Sequence, residues 1–406
     1  MSTARPLGLL ASGLGLVLPG AAAALLAASC SSTSDKAAGQ HEPAESAEDA
    51  KPAPAPTREE LTPTIDALIA GGRFHGELWR MNLSERNGKP TEVKTFGVDG
   101  DLVLVEDQVH EIHALDRDSG VHRWILTLAG PTTLPVGGND SSTTFVSRDE
   151  VVGVDRKSGA RRQMRSSQHL DFFPSTRAVT VGGTAYVGRL APMGVQSVNL
   201  ASGASGWEYP TKSEVVDLVS VGDGPTAQLV GVSAEGLLFA LPPRPAVETS
   251  WAPSENWYRR LAGTQVVTPL AHSGNSLCFG SANGFLFHVD SRSGQIRWKV
   301  PCGSDLHRLE ATIAGNAIFQ RSDETLHAFA ADSGKELWTV EGGLRVITRI
   351  GDLCYVDMGH GKVSVRRAQN GAEVATFSTS SLIRVPTIQG GGVFIASDGV
   401  NVFALN

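Results

Sequence analysis

Residues 113–124 read HALDRDSGVHRW, residues 287–298 read FHVDSRSGQIRW, and residues 327–338 read HAFAADSGKELW. Each is a short apolar run, a turn of the form x-x-x-Ser-Gly, and a second run that ends in Trp. Asp at the first turn position accepts a downstream backbone N–H, and Gly takes the φ > 0 that twists the chain into the next strand. Weaker copies lie at 152–163 (VGVDRKSGARRQ), 196–207 (QSVNLASGASGW) and 364–375 (SVRRAQNGAEVA), with degenerate ones at 239–246 (FALPPRPA) and 403–406 (FALN). Their first turn residues are Asp116, Asp155, Asn199, Pro242, Asp290, Ala330, Arg367 and Asn406, spaced 37 to 48 residues apart.

In seven of the eight copies the residue before the turn is Leu, Val or Phe, with Arg366 the exception, and the residue before that is usually small. This is strand alternation, with small side chains where neighbouring sheets press together. Another turn and strand precede each copy, as in LCFGSANGFLFHV at 277–289. A repeat of about forty residues with four short strands is a propeller blade. The predicted fold is therefore all-β, an eight-bladed β-propeller over residues 61–406. The turn glycines are Gly120, Gly159, Gly203, Gly294, Gly334 and Gly371, and the strand-end tryptophans are Trp79, Trp124, Trp207, Trp298 and Trp338. Ring closure is also legible: GELWRM at 76–81 matches KELWTV at 335–340. The N-terminal strand should complete the blade that the C-terminus begins, which hides both sheet edges. A short helix capped by Thr62, with Pro63 at its first position and a stop at Gly71-Gly72, is expected ahead of it.

The motif resembles the pyrroloquinoline-quinone-like (PQQ-like) β-propeller repeat, whose consensus is close to YALD-x-x-TG-x-x-x-W. That resemblance implies that the terminal Trp docks between adjacent blades. Gln163 and Ala375 stand where two copies would carry Trp, so those junctions should be packed differently.

The chain ahead of the propeller reads as export apparatus. Residues 7–29, LGLLASGLGLVLPGAAAALLAAS, carry no charge, and Arg5 supplies the positive flank of a signal peptide over 1–29. Leu26-Ala27-Ala28-Ser29-Cys30 resembles a bacterial lipobox with its Leu one position early, which makes Cys30 the expected site of lipid attachment. An uncleaved anchor helix is the alternative, since 23 apolar residues can span a bilayer of about 30 Å; Pro19-Gly20 in mid-segment speaks against it. Residues 30–60, rich in Ala, Pro, Ser and Glu, form an expected disordered tether that carries four of the seven net negative charges.

Composition sets the outer limits. The 406 residues are 41% hydrophobic and 19% charged, with a net charge of −7, which excludes a wholly disordered chain and argues against a nucleic-acid binder. Three cysteines lie beyond Cys30. Cys278 and Cys354 sit in apolar strands as expected core residues, and a Cys278–Cys302 bridge stays open. His110-Glu111-Ile112-His113 is one residue short of a zinc helix motif and lies in a strand pattern. Asp116-Arg117-Asp118 starts like a calcium loop, but Gly120 arrives early and no acid closes it. No catalytic, cofactor-binding or metal site is expected.

One segment breaks the rhythm. RPAVETSWAPSENWYRRLAG at 244–263 lengthens a repeat to 48 residues and gathers Trp251, Trp257, Tyr258, Arg259 and Arg260, the composition of an interaction hot spot. The competing reading makes Trp251 the displaced repeat Trp and packs Trp257 beneath the loop.

A lipidated propeller without catalytic groups resembles the scaffold-lipoprotein family of the outer-membrane β-barrel assembly machine. RRLAGTQVVTPLAHSGNSLCFGSANGFLFHVDSRSGQIRWKV at 259–300 is the most similar stretch. The resemblance implies a periplasmic protein held by lipid to the outer membrane (by Ser31 after the cysteine), monomeric alone, with barrel-assembly subunits as partners. It implies Leu218 and Val221 in one inter-blade loop, and Arg260 and Leu261 in the next, as partner contacts. Gly263 and Gln265 replace acids expected there. Two alternatives remain: a surface propeller that binds another protein or a polysaccharide, and a PQQ-dependent quinoprotein dehydrogenase. The latter family uses a Ca²⁺ held by Glu, Asn and Asp and a pair of adjacent cysteines, and no adjacent pair exists here.

Overall fold

In a computed structural model of the chain, the eight turns become eight antiparallel sheets. The structure describes residues 74–406 except 133–135, 140, 148–149, 163–171, 182, 223–225, 243–254, 262, 305, 307–308, 380–381, 383–386 and 390. The expected signal, Cys30, the tether, the Thr62 helix, Gln163 and Trp251 lie outside the described residues.

Blades 1 to 7 occupy residues 93–127, 137–155, 179–210, 215–260, 271–301, 312–341 and 345–378. In the four-stranded blades, each strand pairs with the next in sequence, as an up-and-down meander. Among the described residues blade 2 has three paired strands, and Arg161 beyond them forms an isolated bridge to Val154. The first described strands of blades 2, 3 and 4 neighbour one another in turn, as do those of blades 5, 6, 7 and 8. Blade 8 joins the chain ends. Glu77–Asn82 pairs antiparallel with Asn401–Leu405, which pairs with Phe394–Ser397. The pairing runs on through His75 N–H to the Asn406 carbonyl at 2.6 Å.

A helix not expected from the sequence, Leu83–Asn87, links blade 8 to blade 1. Asn82 caps it by accepting the Glu85 N–H at 2.9 Å, and Gly88 ends it at φ +65°. The signal was available as Asn82 followed three residues on by Glu85, a cap with acid in the first turn.

The apolar core is not one mass. It divides into eight clusters, each sandwiched between two consecutive blades. A strand with both faces covered is buried at successive positions, as Leu102–Asp107 and Ser142–Ser147 are at every residue. In the second, STTFVS, buried hydroxyls are hydrogen-bonded, with Thr144 donating to the Ala178 carbonyl and Ser147 to that of Gly130.

Four junctions use one device. The ring of Trp298, on the outer strand of blade 5, lies on Gly334 in the third-to-fourth-strand turn of blade 6, and its N–H reaches the Ala331 carbonyl at 2.9 Å. Trp338 repeats this on Gly371 with the Ala368 carbonyl, Trp79 on Gly120 with Arg117, and Trp124 on Gly159 with Arg156. A Cβ on Gly334 would come within 2.8 Å of the Trp298 ring. The turn glycine thus serves twice, since its φ of +71° already disfavours any other residue. The second duty is invisible in a single repeat.

The remaining junctions differ. Between blades 7 and 8, where Ala375 replaces Trp, Phe74 stacks on Tyr355 at 5.2 Å and packs with Phe377 and Phe394. Trp207 is fully buried against Tyr186 at 5.3 Å, with Pro242 where a turn would begin. All three described cysteines are free and buried, so the Cys278–Cys302 bridge is not formed. Burial pushes the Cys302 and Cys354 thiols up to about 12.

Candidate functional site

The expected partner contacts divide into core and surface. Leu218 and Val221 are not in a loop. They lie on Val215–Val221, the first strand of blade 4, and both are buried. Alternation sends Leu218 into the cluster between blades 3 and 4 and Val221 into the one between blades 4 and 5. Leu261 is buried in the latter cluster too. These three are unavailable to a partner on a rigid blade.

Trp257 is the displaced repeat tryptophan. Its ring lies on Gly294, as Trp298 lies on Gly334. The displacement has a cost in hydrogen bonding. The carbonyl that should receive its N–H, at Ser291, instead accepts the Gln228 amide at 3.0 Å, and the indole N–H has no acceptor among the described residues. The 48-residue spacing signalled an insertion; which Trp would fill the slot depended on pairing that the sequence does not show.

What remains is Tyr258, Arg259 and Arg260, all exposed on Trp257–Arg260, the outermost strand of blade 4. The Tyr258 side is 56% exposed. Beside them Tyr209 donates its hydroxyl to Glu255, and burial together with that carboxylate pushes the phenol's pKa up while Arg260 pulls it down. An amphipathic ring and two guanidinium groups on a rigid strand suit docking against an acidic or aromatic partner surface.

A second feature lies at the axis. Arg177 makes a two-pronged ion pair with Asp217, at 3.0 and 2.6 Å, and reaches Glu310 at 3.4 Å. Asp217 also accepts the backbone N–H groups of Leu218 and Leu270, and Gln389 donates to Glu310 at 3.4 Å. Residues in or ahead of the first described strands of blades 3, 4, 5, 6 and 8 are so tied together. Burial raises the pKa of Glu310, against the pull of Arg177. Sequence reading missed this network, because its members are about 40 to 130 residues apart and share no motif.

Arg177 and Glu310 also line a cavity of about 600 Å³, together with Arg345, Thr387 and Gln389 and with both apolar residues (among them Phe96, Val136 and Phe145) and acids (Asp99 and Glu106) of blades 1 and 2 or beside them. Among the described residues, one group of side chains could hold a metal: Asp107, Glu111 and His113, with ligand atoms within 4.8 Å of one another. It belongs to the hairpin of blade 1 and does not line the cavity. Asp107 there accepts the N–H groups of Val109 and Glu111, both at 2.9 Å, and sits 3.4 Å from His113. His110, at φ +64°, stands in the turn rather than the strand. The Asp116 turn is a hairpin, with its carboxylate accepting the N–H groups of Asp118 and Ser119.

The family described as outer membrane protein assembly factor BamB matches residues 73–300 and 248–406. The chain belongs to the BamB family. BamB from Moraxella catarrhalis has a similar structure, with 18% identity, 82% of this chain and 97% of that chain covered, and a TM-score of 0.58. The quinohemoprotein alcohol dehydrogenase of Comamonas testosteroni is also similar, at 11% identity, 81% and 76% coverage and a TM-score of 0.54. The computationally designed Ika8 protein aligns at 12% identity, 78% and 96% coverage and a TM-score of 0.53. At these identities the three structures establish the shared propeller fold. No curated protein matches the chain.

Proposed function

We propose that this BamB-family propeller is a non-catalytic scaffold, held in the bacterial envelope by lipid on Cys30, that binds barrel-assembly subunits through the outer strand of blade 4. The observation that carries the reading is family membership across the whole propeller. Tyr258, Arg259 and Arg260 are the contacts, because they are the members of the expected set that reach solvent. Export and lipidation follow from the apolar 7–29 segment and the Ser29-Cys30 junction. The tether between Cys30 and the first blade strand would let the ring engage partners away from the bilayer.

A quinoprotein dehydrogenase is the weaker reading. Its support is a fold-level likeness. The acids around the axial cavity do not fit a cation-held cofactor: Glu310 is engaged by Arg177 and Gln389, and Glu106 by Thr132 and His110. Cys278, Cys302 and Cys354 are each buried and unbridged.

Purification of the tagged protein from native membranes tests the scaffold reading. Barrel-assembly subunits should come down with it, and should be lost with Y258E/R260E. Recovery of the folded protein without them, under conditions that keep the assembly machine intact, counts against the reading. Cys30→Ser should move the protein from the membrane to the soluble fraction.

A further inference from the structure

We infer that Asp107, Glu111 and His113 form a binding site for one zinc-class divalent ion in the hairpin of blade 1, independent of the scaffold reading. Their ligand atoms lie within 4.8 Å of one another. Asp107 ends the strand Leu102–Asp107 and Glu111 opens the next, Glu111–Asp116, so the two acids flank the turn. His113, two residues beyond Glu111, points to the same face of its strand. The sequence hid this set, because HEIH at 110–113 is not the donor motif: His110 faces Glu106 at 3.1 Å instead. The remaining donor comes from the preceding strand.

The imidazole points to a ligand. His113 is fully buried, its Nδ1 has no partner among the described residues, and its Nε2 lies 3.4 Å from Asp107 Oδ2. A good N–H···O bond spans about 2.7–3.2 Å, so that contact is long. Two donors at about 2.0–2.1 Å from a tetrahedral zinc ion stand about 3.3–3.4 Å apart. The spacing therefore fits a shared ion better than a shared proton. Asp107 is fully buried too, and its Oδ1 accepts the Val109 and Glu111 N–H groups, both at 2.9 Å, which leaves Oδ2 turned to His113. Such outer hydrogen bonds are what orients a metal-ligating carboxylate. Glu111 brings a second carboxylate beside the first, and adjacent like charges on a hairpin are destabilising unless a cation offsets them. Lys89 reaches Glu111 only at 3.7 Å, from a side chain 52% exposed, and so can withdraw. An imidazole with two carboxylates suits zinc, and three protein donors leave a fourth position for water.

The test is calorimetric titration of Zn²⁺ into the purified full chain after treatment with a chelator. One ion should bind per chain and raise the melting temperature, since it binds the folded state. Glu111→Gln, at the partly exposed member of the set, should weaken binding at least about tenfold while the metal-free melt stays cooperative. His113→Gln should abolish it. His327→Gln, at the His327–Glu336 pair on blade 6, should leave it intact. Anomalous diffraction at the zinc edge should place the ion between Asp107, Glu111 and His113. No binding at millimolar zinc, binding unchanged by Glu111→Gln, or an ion seated elsewhere overturns the inference.

Discussion

The arc from blade 5 through blade 7 and the arc from blade 2 through blade 4 solve the same packing problem in different ways. In the first, successive junctions use the same tryptophan, laid on the same turn glycine and bonded to the same turn carbonyl. In the second, one blade keeps three described strands, Leu200 presses on Gly153, Trp207 packs on Tyr186, and Trp257 keeps the ring position with no acceptor for its N–H among the described residues. A repeated device makes junctions interchangeable, whereas each departure frees local sequence for another use. The exposed Tyr258-Arg259-Arg260 strand lies in the irregular arc, in the longest repeat.

The comparison can be broken by removing parts of the regular device. The largest effect is expected from deleting the strand Glu77–Asn82, which leaves Asn401–Leu405 as an open edge and strips the ring from Gly120. Cooperative melting should be lost, and light scattering should report aggregation. Trp338→Ala should cost about 3–5 kcal/mol in urea unfolding, from lost burial and the gap left on Gly371. Gly334→Ala should cost about 1–3 kcal/mol from the left-handed backbone alone, with the displaced Trp298 ring added to it.

A finer contrast comes from Phe replacements. Trp298→Phe strands the Ala331 carbonyl and should cost about 1–2 kcal/mol more than Trp257→Phe, whose indole N–H has no acceptor among the described residues. Equal costs would mean that the ring alone, and not its hydrogen bond, fixes a regular junction.

The smallest effects are in pH. Burial opposes ionisation of Asp116, but hydrogen bonds from Ser119 and Arg123 outweigh it and hold its pKa at about 2, below the usual 3.8. A depressed carboxylate stabilises the fold above its unfolded value and loses that contribution as pH falls through the folded one. Melting temperature should therefore drop between about pH 4 and pH 2, less steeply in Asp116→Asn. Glu310 has the opposite sign. Its raised pKa means the ionised form burdens the fold as pH rises, so Glu310→Gln should be slightly stabilising at neutral pH and without effect at pH 3.

Much of the ring was legible because its signals are local. Asp116 followed by Gly120 specifies a turn wherever it occurs, and the likeness of GELWRM to KELWTV placed Trp79 before any sheet was seen. The functional surface was less so. Leu218 and Val221 are apolar residues on a two-faced buried strand, and nothing within seven residues separates such a strand from an apolar loop. Trp251 and Trp257 compete for one slot, and only the register of Trp257 opposite Ala240 decides between them. The axial ion network joins residues from distant blades, so it exists only once the ring closes.

The central claim is that the exposed strand of blade 4, rather than the ring's other surfaces, meets the partner. A photo-crosslinking amino acid placed at Tyr258, and separately at Val121 on a regular turn of blade 1, tests it in living cells. The expected result is a discrete adduct with a barrel-assembly subunit from position 258 and none from 121. Adducts from both positions, or from 121 alone, contradict it.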